Sequence, residues 1–160
     1  MLRIKISHNM KRSFLLWLAA TAITLIVFYI QSINNGRPVA SIPSKVNILS
    51  SLVLFTALLL CFRVGLEYFN DNQKIKKLTL PAVTFFFFYS IAITPLRKTY
   101  ELNAINKKVP PITELFDLQS IILFVLWITA MTVIFNSKNP RLPALVFSII
   151  TVLVFLFVRA

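Results

Sequence analysis

The stretch LQSIILFVLWITAMTVIF, Leu118–Phe135, decides the fold, because it runs without a single charged side chain for long enough to cross a bilayer as a helix. A hydrocarbon core of about 30 Å needs roughly 20 helical residues at about 1.5 Å each. Working outward, the same reading returns at Ser13–Ile33, Ile48–Leu66, Leu78–Leu96 and Leu142–Val158. The last is the shortest and must stand upright or thin the bilayer. These spans take more than half of the chain and leave loops too short for a separate soluble domain. The expected fold is therefore all-α: one polytopic membrane domain over residues 1–160, a helical bundle of about five transmembrane helices. Basic residues precede the first span, which is longer than a signal-peptide core and lacks a small-x-small cleavage site, so it reads as an uncleaved signal anchor.

Turn chemistry marks the joints. Asn34-Asn35-Gly36-Arg37-Pro38 breaks the first span, and Ser44 or Asn47 can cap the second. Thr79 and Pro81 suit the first turn of the third, and Pro95 marks its end. Pro110-Pro111 precede a short surface turn, Ile112–Phe116, before Asp117 caps the fourth span. The short connection through Asn139-Pro140 makes the last two helices antiparallel neighbours.

The formal net charge is +12 from 17 Lys and Arg against 5 acids. The bases are spread over both termini and every loop, which fits anchoring to anionic lipids and argues against nucleic acid. Counted on alternate sides, Arg3, Lys5, Lys11, Arg12, Arg63, Lys74, Lys76, Lys77, Lys138 and Arg141 face Arg37, Lys45, Arg97, Lys98, Lys107, Lys108 and Arg159. The excess before the first span places the N-terminus in the cytoplasm of a cell with an inner membrane, and the C-terminus in the periplasm.

The acids Glu67, Asp71, Glu101, Glu114 and Asp117 all sit at span ends or between spans, so no mid-membrane carboxylate is available for ion coupling. His8 is the only histidine and Cys61 the only cysteine, which leaves a metal site short of ligands, and no cofactor is expected. Gly-rich nucleotide loops, nucleophile elbows and convergent catalytic groups are absent, so the chain reads as a non-enzyme. Inside the spans the polar groups are hydroxyls, and Thr129 with Thr132 and Ser148 with Thr151 share helix faces where they can pack against neighbours. Trp127 falls mid-span, where its indole N–H needs an interhelical acceptor. Arg63 and Glu67, at i and i+4, are expected to pair and to snorkel outward at the span end. The loop after the third span mixes Arg97, Lys98, Tyr100, Glu101, Lys107 and Lys108, a composition suited to the rim of a protein contact; these residues and Trp127 are the candidate partner-binding set.

At this loop the chain resembles the immunity proteins that protect bacteria against pore-forming colicins of the A, B and N type. Lys74, Lys76 and Lys77 precede the third span, and Tyr100-Glu101-Leu102 opens the loop after it, over a resemblance that covers about Arg63–Phe135. Where that family continues with Thr-Thr-Ala-Gly this chain has Asn103-Ala104-Ile105-Asn106, and the family has four spans. The resemblance implies helix contacts with a toxin's pore-forming helices within the inner membrane. The expected function is a non-catalytic inner-membrane protein that binds another membrane protein, either a pore-forming toxin or a host complex subunit. An accessory or assembly role in a larger complex, or a small solute facilitator, are the alternatives.

Overall fold

Apolar length decides the elements. In the computed structural model, which describes residues 8–34, 43–69, 72–103 and 115–158, each expected apolar segment falls on a helix and the described residues contain no strand. The elements are α1 (His8–Asn34), α2 (Ser44–Leu66) with a 3-10 turn at Glu67–Phe69, α3 (Asn72–Phe88), a π-helical segment (Tyr89–Ile93), α4 (Thr94–Asn103), α5 (Leu118–Asn136) and α6 (Arg141–Phe157). Among the described residues, three runs are long and apolar enough to cross a membrane, Ser44–Phe69, Asn72–Leu102 and Leu118–Asn136; α6 is apolar but only 17 residues long. Lys107, Lys108, the chain from Asn35 to Pro38, the expected surface turn as far as Glu114 and the His8 side chain lie outside the described residues.

Two prolines behave differently from expectation. The third helix starts at Asn72, so Pro81 stands inside α3 rather than in a first turn. Its missing N–H removes one bond, to the carbonyl of the exposed residue Lys77. Pro95 does not end the helix either. The turn before it widens into the π segment, Thr94 N–H donates to the Tyr89 carbonyl five residues back, and the Thr94 hydroxyl adds a second bond of 3.1 Å to the same oxygen. A widened turn relieves the clash of a proline ring with the preceding carbonyl and lets the rod continue into α4. At 31 residues, Asn72–Leu102 is about 46 Å long at about 1.5 Å per residue, more than a hydrocarbon core of about 30 Å. Its basic start and its charged end therefore project beyond the apolar length.

The other caps follow local chemistry. Asp117 caps α5 as expected, its Oδ1 accepting the Ser120 N–H at 2.6 Å. At α2 the boundary residue is Pro43 and no side chain caps the helix, so neither Ser44 nor Asn47 takes that role.

Cross-helix bonds give the directions. At one end Arg12 of α1 donates to the Phe69 carbonyl, Lys76 Nζ of α3 to the Phe135 carbonyl at 3.0 Å, and Arg141 Nε of α6 to Asn72 Oδ1 at 2.8 Å. At the other end Ser90 Oγ donates to the Ser120 carbonyl at 2.9 Å and Gln119 Nε2 to the Val158 carbonyl at 3.0 Å. The helices thus alternate in direction. α2 is central and touches α1, α3 and α6, while α5 closes against α3 and α6. α1 is peripheral; among its described side chains it buries only the narrow seam Ala20, Thr24 and Val27. Its spacing of four and three residues keeps that seam on one helix face.

Candidate functional site

Two places bring charge and helix packing together, one at each end. At the Glu101 end, α4 places Arg97, Lys98 and Glu101 within one turn, so that Arg97 Nε meets Glu101 Oε1 and Lys98 Nζ meets Oε2, each at 3.0 Å. Both carboxylate oxygens are engaged, and the cluster keeps one net positive charge. Pairs of this kind contribute only about 0.3–0.5 kcal/mol each on an open helix. Their effect here is to hold three half-buried charges in a fixed arrangement beside the exposed Tyr100 ring.

Trp127 takes no part in that surface. It is wholly buried, stacked on Phe86 with ring centroids 5.5 Å apart, and its indole N–H donates to Thr151 Oγ1 at 3.1 Å. Its face of α5 continues through Leu123, Ala130 and Ile134. At about 100° per residue, Thr129 and Thr132 lie roughly 200° and 140° around from Trp127. Both are exposed and bond back to the Val125 and Ile128 carbonyls at 2.9 and 3.1 Å instead of joining another helix. The α6 pair is different: Ser148 Oγ donates within bonding distance of both the Cys61 and Ala144 carbonyls, at 2.9 Å each, and Thr151 receives Trp127 while donating to the Phe147 carbonyl. The aromatic run divides likewise, with Phe86 and Tyr89 buried and Phe87 and Phe88 outward.

A measurable contrast follows. Thr151→Val keeps the shape but leaves a buried indole N–H unpaired, so a loss of about 1–2 kcal/mol is expected in thermal or denaturant unfolding of the purified protein. Thr129→Val and Thr132→Val are each expected to stay within about 0.5 kcal/mol of the parent. Equal effects at all three positions would contradict the packing.

At the Arg63 end the expected ion pair forms, but it is not snorkelling. Arg63 and Glu67 are 2% and 0% exposed, with Nη2 and Oε1 2.5 Å apart. The guanidinium carbon lies 5.3 Å from the centre of the Trp17 ring of α1, a cation–π contact. Burial follows from position: the 3-10 turn carrying Glu67 packs against α3 and α6, and Arg63 lies beneath α1. Among the described residues, Arg63 Nε and Nη1 and Glu67 Oε2 have no hydrogen-bond or ion-pair partner, and Glu67 Oε1 meets only Arg63 Nη2. Buried polar atoms are ordinarily satisfied, so the three unmatched atoms leave capacity here for a further donor and acceptor, water or ligand. Among the described residues no three or more His, Cys, Asp or Glu gather as a metal site.

Comparison with protein-family models, curated proteins and solved structures gives no match.

The sequence reading missed two features of this end. One is the depth of the Arg63–Glu67 pair, whose signal was an arginine lying inside the apolar span ending at Leu66. The other is Gly65, the only glycine among the described residues, at which an added Cβ would meet Ser148 Oγ and Cβ at 2.5 and 2.6 Å. Gly65 is thus a point of close approach between α2 and α6.

Proposed function

We propose that this chain is a non-catalytic membrane protein that crosses the bilayer as a five-helix polytopic bundle and binds another membrane protein through its Glu101 end. The observation that carries this reading is the Arg97–Glu101–Lys98 cluster on α4, a charged rim held rigid beside Tyr100 on a rod longer than the membrane. Fixed rim charges of this kind steer and select a partner more than they add raw affinity. The helices support binding over transport, because the described threonine hydroxyls on α1, α2, α3 and α5, buried at Thr24 and Thr79 and exposed at Thr84, Thr129 and Thr132, return to their own helix carbonyls rather than lining a path. The most concrete form is immunity to a pore-forming bacteriocin, with the protein in the bacterial inner membrane, N-terminus in the cytoplasm and C-terminus in the periplasm.

Expression in sensitive bacteria challenged with pore-forming bacteriocins tests it. Protection is expected against at least one toxin. Arg97→Glu combined with Lys98→Glu is expected to weaken partner capture roughly tenfold, the equivalent of about 1.4 kcal/mol. No protection against any toxin would remove the immunity form. Capture that is unchanged by the double charge reversal would remove the α4 rim as the contact.

A further inference from the structure

The unmatched atoms at the Arg63 end are of opposite kinds: Arg63 Nε and Nη1 are donors on a cation, and Glu67 Oε2 is an acceptor on an anion whose other oxygen meets Arg63 Nη2. A simple anion would satisfy Arg63 but would set like charge against the Glu67 carboxylate, and a simple cation would do the reverse at Arg63. The complementary ligand carries both signs, an oxyanion and an N–H-bearing ammonium joined by a short linker. A quaternary ammonium does not qualify, since it has no N–H to give to Glu67.

We propose that the Arg63–Glu67 pair is the polar floor of a binding site for an aminophospholipid headgroup, with the phosphate at Arg63 and the primary ammonium at Glu67. The inference uses the membrane setting proposed above and none of its partner claim. Three observations favour a lipid over a free zwitterion. The pair lies at the end of an apolar run long enough to cross a membrane, where headgroups are found. Trp17, whose ring lies over the Arg63 guanidinium, is itself 37% exposed, so one described side chain covering the pair reaches the surface. On the same helix Phe14, Leu15 and Leu18 are exposed next to it, an apolar track for acyl chains. Arg12, bonded to the Phe69 carbonyl, adds positive charge where α1 meets the turn carrying Glu67.

The test uses the purified full-length protein, with retained lipid read by native mass spectrometry. It is loaded in turn with phosphatidylethanolamine, its N-methyl and N,N-dimethyl forms, phosphatidylcholine and phosphatidylglycerol of matched acyl chains. Phosphatidylethanolamine is expected to be retained roughly tenfold or more over phosphatidylcholine and phosphatidylglycerol, the fold-change set by one charge-assisted hydrogen bond, with retention falling as methyl groups replace N–H. The double variant Arg63→Met/Glu67→Met is expected to lose this preference while keeping its helicity. Equal retention of all the lipids, or a preference surviving in the double variant, would overturn the proposal and leave the pair hydrated by water alone. Displacement of the lipid by free phosphoethanolamine at equal concentration would overturn the lipid source. The methylation series needs no variant, so misfolding of the double variant does not blunt the result. Failure of the protein to enter the membrane fraction would refute the membrane setting itself.

Discussion

Glu67→Ala is expected to destabilise the protein by about 3–5 kcal/mol, whereas Arg63→Met together with Glu67→Met is expected to cost little or to stabilise. The asymmetry comes from burial. Removing the carboxylate alone leaves a guanidinium, 2% exposed, without the acidic side chain paired to it. The Trp17 ring at 5.3 Å is its remaining described electrostatic partner, and a cation–π contact is worth only about 0.5–2 kcal/mol. Removing both charges deletes the desolvation cost of the whole buried pair and puts flexible apolar side chains in its place. Glu67→Gln should fall between these limits, since the amide keeps an acceptor for Arg63 but not the charge. Thermal unfolding in detergent, followed by helical circular dichroism, reads the series. A double variant as unstable as Glu67→Ala would mean that the pair is held by contacts other than its own attraction.

That site shows where sequence reading stops. Apolar runs report helix existence because length and composition alone decide whether a segment can be a buried or spanning helix, and LQSIILFVLWITAMTVIF falls on α5 with Asp117 at its cap. Which face turns inward is a property of neighbours. Thr129 and Thr132 share a face, as do Ser148 and Thr151, but only the second pair meets another helix, and nothing within α5 or α6 alone distinguishes them. Prolines were misread for a related reason. Pro81 and Pro95 are poor residues for a helix interior, yet a π turn before Pro95 and the loss of a single bond at Pro81 are absorbed within a rod whose apolar length favours continuity. Arg63 and Glu67 gave their spacing and their pairing directly. Their depth depended on α1 and α6 lying across them. At the Glu101 end, Arg97, Lys98 and Glu101 were visible as a charged group, while their closure around a single carboxylate depended on the helix running past Pro95.

Gly65→Ala is expected to destabilise by at least about 1–3 kcal/mol, and Gly65→Val by more, because overpacking a tight contact forces the backbones apart. The added Cβ would stand 2.6 Å from the Ser148 Cβ, an atom that no side-chain rotation can move away. In a membrane this contact matters more than the area it buries, since lipid is as apolar as the helix face it would replace and association rests on close packing and hydrogen bonds. Separating α2 from α6 would also stretch the Ser148 Oγ bond to the Cys61 carbonyl, now 2.9 Å, worth about 0.6–1.7 kcal/mol. Two compensating changes separate the steric part from the polar one. Ser148→Ala combined with Gly65→Ala removes the Oγ contact but keeps the Cβ–Cβ clash and loses the bond, so most of the loss should remain. Ser148→Gly with Gly65→Ala moves the missing Cβ to the other helix, and should recover most of the steric loss while forfeiting the bond. A coupling energy of about 0.5–3 kcal/mol in that second cycle is expected for residues in direct contact. Additive effects there would place the cost of the alanine in α2 itself and not in its meeting with α6.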